Sequence, residues 1–205
     1  MNQELKAHWE HIYENKQPHE VSWTQDKPEI SLRLIHETHA SKDAAIIDIG
    51  GGDSKLVDFL LAAGYTNISV LDISEAAINR AKKRLGEKAE LVKWIVSDIL
   101  EFQPRQQYDI WHDRAAFHFQ TENKDIETYL ERVKKSVCGN LIIGTFSTDG
   151  PLKCSGLEIK QYNEESMNAL FNGYGFTSIH CEFENHQTPS GNNQHFIFCM
   201  FVKNK

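Results

Sequence analysis

Three aspartates, a run of glycines and a short His-Asp-Arg sequence are the residues whose types and spacing could do chemistry. Asp48-Ile49-Gly50-Gly51-Gly52-Asp53 sets an acid on each side of three glycines. Glycine permits positive φ and lets a ligand approach the backbone without a Cβ in the way. A helix starting just beyond would turn its unpaired N–H groups toward that ligand. Asp72 follows the glycines by roughly 20 residues, where a carboxylate accepts hydrogen bonds from ribose hydroxyls in nucleotide-binding α/β folds. Asp98 sits beside apolar Ile99, a pairing that suits an adenine amino group and ring. The alternative for Asp98 is a turn cap. His112-Asp113-Arg114 brings three ionisable groups together. His112 is the first candidate general base, because an imidazole is readily poised near neutral pH, and Asp113 is the second. The competing readings are a hydrogen-bonding core histidine and a structural Asp113–Arg114 ion pair.

The glycine run excludes two phosphate-centred sites. A dinucleotide fingerprint needs a third glycine, but Lys55 or Leu56 stands there, and no Gly-x-x-x-x-Gly-Lys loop is present. Asp48 and Asp53 would repel a pyrophosphate and tolerate a cationic ligand. A nicotinamide-dependent oxidoreductase is therefore the weaker reading.

The elements that must hold these residues follow from hydrophobic spacing. Ala44 to Ile49 reads as a buried strand running into the glycines, and Leu56, Phe59, Leu60 and Ala63 share one helical face after them. Ile68–Asp72 and Leu91–Val96 are further strands. Ser74 is placed to N-cap the helix between them, and Gly86 to stop it. Tyr108–Trp111 is a fourth strand with His112-Asp113-Arg114 at its end. The next helix carries Ile126, Tyr129, Leu130, Val133 and Val137, and Gly139 is its expected stop. Asn140–Phe146 is a fifth strand. A long loop, Ser147–Tyr162, precedes a helix that Asn163 can cap. Thr177–Glu184 and His195–Val202 then form an antiparallel pair about a turn-rich joint. Upstream, Leu5, Trp9, Ile12 and Tyr13 fall on one face of a short helix. A second helix, with a capping box from Asp26 and Glu29, carries Ile30, Leu34 and Ile35. Trp9, Tyr13 and Trp23 either pack this cap onto the core or roof a cofactor pocket.

At 205 residues, 40% hydrophobic and 25% charged, the chain fits one globular domain, with residues 1–40 as the cap and 44–205 as the core. A net charge of −7 argues against a nucleic-acid partner. No run is long and apolar enough for a bilayer, and Met1–Lys16 lacks a secretory h-region, so the expected site is cytoplasmic. Cys138, Cys154, Cys181 and Cys199 form no Cys-x-x-Cys pair and read as free, mostly buried thiols. The ten histidines lack the spacing of a helical zinc site, so no metal is expected.

The succession of strands and helices, with the glycine turn and strand-end acids, resembles the class I S-adenosylmethionine-dependent methyltransferase family over nearly the whole chain. Asp48-Ile49-Gly50-Gly51-Gly52 matches its glycine motif, Asp72 its ribose acid and Asp98 its adenine-side acid, with Ile73 and Ile99 as apolar neighbours. The stretches His8–Trp23, Trp111–Phe119 and Thr145–Gly156 are more closely similar to one bacterial group within that family. The resemblance implies a Rossmann-like, doubly wound seven-stranded sheet, mostly parallel, closed by an antiparallel C-terminal hairpin. It implies S-adenosyl-L-methionine as cofactor and S-adenosyl-L-homocysteine as product; His112 is expected beside the cofactor as well as at the chemistry. A small-molecule acceptor is expected. A protein side chain as acceptor, or a non-catalytic binding module, are the alternatives, on a monomer or homodimer. His186 and Lys153 could meet the acceptor, though no spacing rule selects them.

Overall fold

The computed structural model describes residues 3–205; Met1 and Asn2, the first residues of the expected cap, lie outside the described residues. Seven strands make one sheet in the order β3-β2-β1-β4-β5-β9-β8. They are β1 (Ile46–Ile49), β2 (Ile68–Asp72), β3 (Val92–Val96), β4 (Tyr108–Arg114), β5 (Val137–Phe146), β8 (Phe176–Gln187) and β9 (Asn193–Lys203). β1 to β5 are parallel, and β9 runs antiparallel between β5 and β8. Helices α3 (Leu56–Ala62), α4 (Glu75–Leu85), α5 (Asn123–Ser136) and α6 (Glu164–Asn172) follow β1, β2, β4 and β7, the last being half of a small hairpin of β6 (Lys153–Cys154) and β7 (Leu157–Glu158). Helices α1 (Gln3–Asn15) and α2 (Glu29–Glu37) precede β1.

All residues of β1 and β2 are buried, as parallel strands covered on both faces must be. Alternate side chains serve two separate cores. Ile47, Ile49, Trp111, Leu141 and Ile143 pack toward Tyr129 of α5 and Phe171 of α6. Ile46, Ile68, Val70, Ile110 and Ile142 pack toward Leu34 and Ile35 of α2 and Leu56 and Leu60 of α3. This alternation decides the site. Asp48 and His112 share the α2/α3 face with Ile46 and Ile110, whereas Asp113 belongs to the opposite face with Trp111.

Several local expectations need correction. His112, Asp113 and Arg114 lie within β4 rather than beyond it. Helix α5 ends at Ser136, and Gly139 is inside β5. It is glycine because a Cβ there would come within 2.4 Å of the Asp109 carbonyl oxygen. Asp26 does not cap α2. Pro28 occupies the cap position without a side-chain bond, and Asp26 pairs with Lys55 at 2.7 Å. Ser74 and Asn163 do cap α4 and α6. Cys181 and Cys199 are not free thiols. They face each other across β8 and β9, with Cα atoms 4.1 Å apart, and are joined as a disulfide. Cys138 and Cys154 are free.

Candidate functional site

The carboxyl ends of β1 to β4, roofed by α1, α2 and the segment between them, border a partly open cavity of 690 Å³. At one end its wall is formed by Asp72, Ile73, Ser97, Asp98 and Ile99 from the ends of β2 and β3. Asp48, the glycine turn and His112 form its middle. Arg114, Phe119, Cys154 and Gln25 line it on the β4 side.

The glycine turn lets two carboxylates close in on the backbone. Gly50 has φ +66° and leaves no room for a Cβ, which would sit 2.8 Å from that of Ala116. A Cβ on Gly52 would lie 2.5 Å from Asp72 Oδ2. Instead the Gly52 N–H donates to Asp72 Oδ2 at 2.9 Å, and the Ser74 N–H donates to Oδ1 at 2.8 Å. Asp72 therefore pins the turn to the start of α4. Burial raises its carboxyl to about 6, against the pull of these two bonds, and the nearby charges of Asp48 and Glu10 add to the rise. Each oxygen keeps further acceptor capacity. Asp98 lines the same end, and its Oδ1 accepts from the Leu100 N–H at 2.9 Å.

Glu10, which sequence reasoning missed, ties the roof to this end. Its carboxylate accepts from Ser74 Oγ and from the Glu75 and Ala76 N–H groups at 2.8 to 2.9 Å, so a residue of α1 caps the start of α4. Burial acts to raise its carboxyl, but the bonds to the Ala76 and Glu75 N–H groups outweigh it and hold it below the usual range. Trp9, Tyr13 and Trp23 pack into the cap and also line the cavity. Trp9 packs edge-on against Trp23 at 5.6 Å and Phe119 at 5.2 Å, and all three cap aromatics line the cavity.

Asp48 and His112 are register partners on neighbouring strands. Asp48 Oδ1 lies 2.7 Å from His112 Nδ1, and His112 Nε2 lies 2.8 Å from Ser31 Oγ. With Asp48 accepting from Nδ1–H, the Nε2 lone pair is left to accept from the serine hydroxyl. All three side chains line the cavity. Ser31 was not foreseen. It reaches His112 only because α2 packs on the face of the sheet that carries even-numbered residues of β4, and no short-range spacing signals that.

Asp113 does not line the cavity. Its Oδ1 accepts from the Ala116 and Phe117 N–H groups, both at 3.0 Å, and its Oδ2 from the Tyr129 hydroxyl at 2.7 Å. It forms no pair with Arg114, which points to the other face. Arg114 Nη1 donates to the Trp23 carbonyl at 3.0 Å, and its guanidinium lies 4.7 Å from the Phe196 ring centre. Burial pulls Arg114 down to about 10. Asp53 contributes less negative charge to the turn than expected, because Arg84 holds it at 2.6 Å and Arg80 at 3.7 Å. Lys153 pairs with Glu158 on the surface, and the His186 Nε2–H donates to the Ser22 carbonyl at 2.7 Å; neither lines the cavity. Among the described residues no group of three or more His, Cys, Asp or Glu could hold a metal ion, and no helix is long and apolar enough to cross a membrane.

Residues 46–138 match the model of a family described as a methyltransferase domain. The chain is 34% identical over 106 residues to malonyl-[acyl-carrier protein] O-methyltransferase 2 of Ilyobacter polytropus, covering 51% of this chain and 39% of that protein. It is 27% identical over 115 residues to N-terminal Xaa-Pro-Lys N-methyltransferase 1-B of Xenopus laevis, covering 54% of this chain and 51% of that one. The chain thus spans about half or less of the length of these curated relatives. Among solved structures, it superposes on a 1,6-didemethyltoxoflavin N1-methyltransferase of Burkholderia thailandensis with a TM-score of 0.73 at 17% identity, over 98% of this chain and 88% of that one. It superposes on magnesium protoporphyrin IX methyltransferase of Synechocystis with a TM-score of 0.68 at 15% identity, over 97% and 90%. At these identities the superpositions establish the fold.

Proposed function

We propose that this chain, which carries a class I S-adenosylmethionine-dependent methyltransferase domain, binds S-adenosylmethionine in the roofed cavity, transfers its methyl group to a small acceptor and releases S-adenosylhomocysteine. The observation that carries this reading is the pair of cavity-lining acids, Asp72 and Asp98, at the ends of adjacent strands beside a glycine turn with no room for side chains. Asp72 and Asp98 would hold the ribose and adenine, with Ile73 and Ile99 against the base. Asp48 and the Gly50–Gly52 turn would face the amino-acid end. Bound there, the cofactor supplies an electrophilic methyl group on a positively charged sulfur.

The protein's own part is to align the reactants, exclude water and receive a proton. Alignment alone is worth up to about 7–11 kcal/mol in favourable cases. Trp9, Tyr13 and Trp23 supply the apolar roof. For a protonated acceptor, Ser31 Oγ would take the proton while passing its own to His112 Nε2, and Asp48 would stabilise the resulting imidazolium through Nδ1–H. Asp113 faces away from the cavity and is given no part in this transfer. A partly covered cavity of 690 Å³, with Trp9, Tyr13 and Trp23 over it, suits a small molecule better than a polymer.

Thermal unfolding with candidate ligands tests the reading. S-adenosylhomocysteine at 100 times its dissociation constant should add about 2.7 kcal/mol of stability. A shift with a nicotinamide dinucleotide and none with S-adenosylhomocysteine would overturn it.

A further inference from the structure

Arg114 ends β4 on the cavity face, and its guanidinium is only partly used. Nη1 donates to the Trp23 carbonyl at 3.0 Å. Nε and Nη2 are shielded from solvent and have no hydrogen-bond partner among the described residues. These two nitrogens form one edge of the planar guanidinium, with parallel N–H bonds that match the two oxygens of a carboxylate. A buried donor left unpaired is costly, more so when charged, so a free edge of this kind calls for an explanation.

The surroundings leave the cation largely uncompensated. His118, beside it, is pushed by burial down to about 3 and is neutral. The Cys154 thiol is pushed by burial up to about 12 and is also neutral. Asp48 is engaged with His112. Glu184 is the acid with the largest effect on Arg114, but no ion pair joins them, and Glu184 Oε2 is itself buried without a partner. Glu184 Oε1 accepts instead from Gln25 at 3.1 Å.

We propose that the Nε–Nη2 edge of Arg114 is the docking point for a carboxylate on the methyl acceptor, so that the enzyme acts on a small organic acid. This rests on the methyltransferase reading, because it takes the Arg114 side of the cavity as the acceptor side, away from Asp72 and Asp98. The Arg114–Trp23 and Gln25–Glu184 bonds hold the Trp23–Gln25 segment beside the guanidinium, and because Nε and Nη2 are shielded from solvent, the surrounding groups must rearrange for the acid to reach the edge. A carboxylate fits better than a phosphate because a single planar two-donor edge satisfies its charge and both oxygens.

The test titrates sodium butyrate, sodium malonate and inorganic phosphate into the full chain, with and without saturating S-adenosylhomocysteine, while the Arg114 Nε–H resonance is followed by NMR. The proposal expects that resonance to shift saturably with the carboxylates and less with phosphate. It expects binding at least tenfold weaker in Arg114→Lys, which keeps the charge and loses the fork. In Glu184→Gln, where a competing charge is gone, binding should tighten. Variants that keep the wild-type thermal shift with S-adenosylhomocysteine are folded and cofactor-competent. An unshifted resonance at millimolar carboxylate would overturn the proposal. So would equal binding by Arg114→Lys, or weaker binding by Glu184→Gln. Failure of S-adenosylhomocysteine to bind would instead remove the methyltransferase reading, and the carboxylate titration without it would still decide the Arg114 site.

Discussion

Replacing Asp113 by Asn separates a structural carboxyl from a catalytic one. In the wild type, burial raises this carboxyl from 3.8 to about 6, against the lowering effect of its bonds to Tyr129, Phe117 and Ala116. A shift of about 2 units corresponds to roughly 3 kcal/mol. The folded state therefore holds the proton more tightly than the unfolded chain. Its contribution to stability is full below about pH 4 and is lost as pH rises through about 6. The neutral amide of Asp113→Asn has no such loss. Urea denaturation of both proteins between pH 4.5 and 8 gives the difference in unfolding free energy, in which other titrating groups largely cancel. The variant should gain on the wild type by about 2 kcal/mol across that range. It should also bind S-adenosylhomocysteine as the wild type does, because the side chain points away from the cavity. A pH-independent difference would refute the burial argument. Lost ligand binding in a variant of normal stability would refute the assignment of strand faces.

Other substitutions test other parts of the account. Asp113→Ala leaves two backbone N–H groups and the Tyr129 hydroxyl without their acceptor, at roughly 1–3 kcal/mol each before relaxation, so a melting temperature lower by roughly 5–15 °C is expected by calorimetry. His118→Phe should stabilise the protein at acid pH. Burial lowers this histidine to about 3, so wild-type stability is intact above pH 6.5 and falls as pH drops, and the variant should lead by about 2 kcal/mol at pH 5 in denaturant titrations. Gly52→Ala would drive a Cβ to 2.5 Å from Asp72 Oδ2 and from the Ala77 methyl; a stability loss of about 1–3 kcal/mol and weaker S-adenosylhomocysteine binding by calorimetric titration are expected. Glu10→Ala removes the cap that α1 places on α4 and should cost about 0.5–2 kcal/mol, with faster proteolysis within residues 3–16.

The parallel half of the sheet was legible because its strands are short, mostly apolar runs, and periodicity reports such runs directly. Asp48, Asp72 and Asp98 could be placed for the same reason: they stand just before, at and just past the ends of such runs. The alternation that sends His112 to the cavity and Asp113 to the opposite core was also implicit in the sequence, once β4 is extended through Arg114. Reading the strand as ending at Trp111 concealed it. The Cys181–Cys199 pair was recoverable too, since the two residues are equidistant from Ser190 in the hairpin turn. Ser31 and Glu10 were not recoverable. Each meets its partner across more than 60 positions of sequence, through the seat of a helix whose orientation no local pattern states. The unused edge of Arg114 is likewise visible only when its neighbours are known.

In the proposed complex, Asp72 and Asp98 receive an adenosine and the glycine turn receives the amino-acid end of the same ligand. A crystal structure of the full chain with S-adenosylhomocysteine measures this directly. Ribose hydroxyls are expected on the Asp72 carboxylate, adenine between Ile73 and Ile99 with Asp98 at its edge, and the sulfur turned toward His112 and Arg114. Ligand density outside this cavity, or an adenine seated at Arg114 rather than at Asp98, would contradict it.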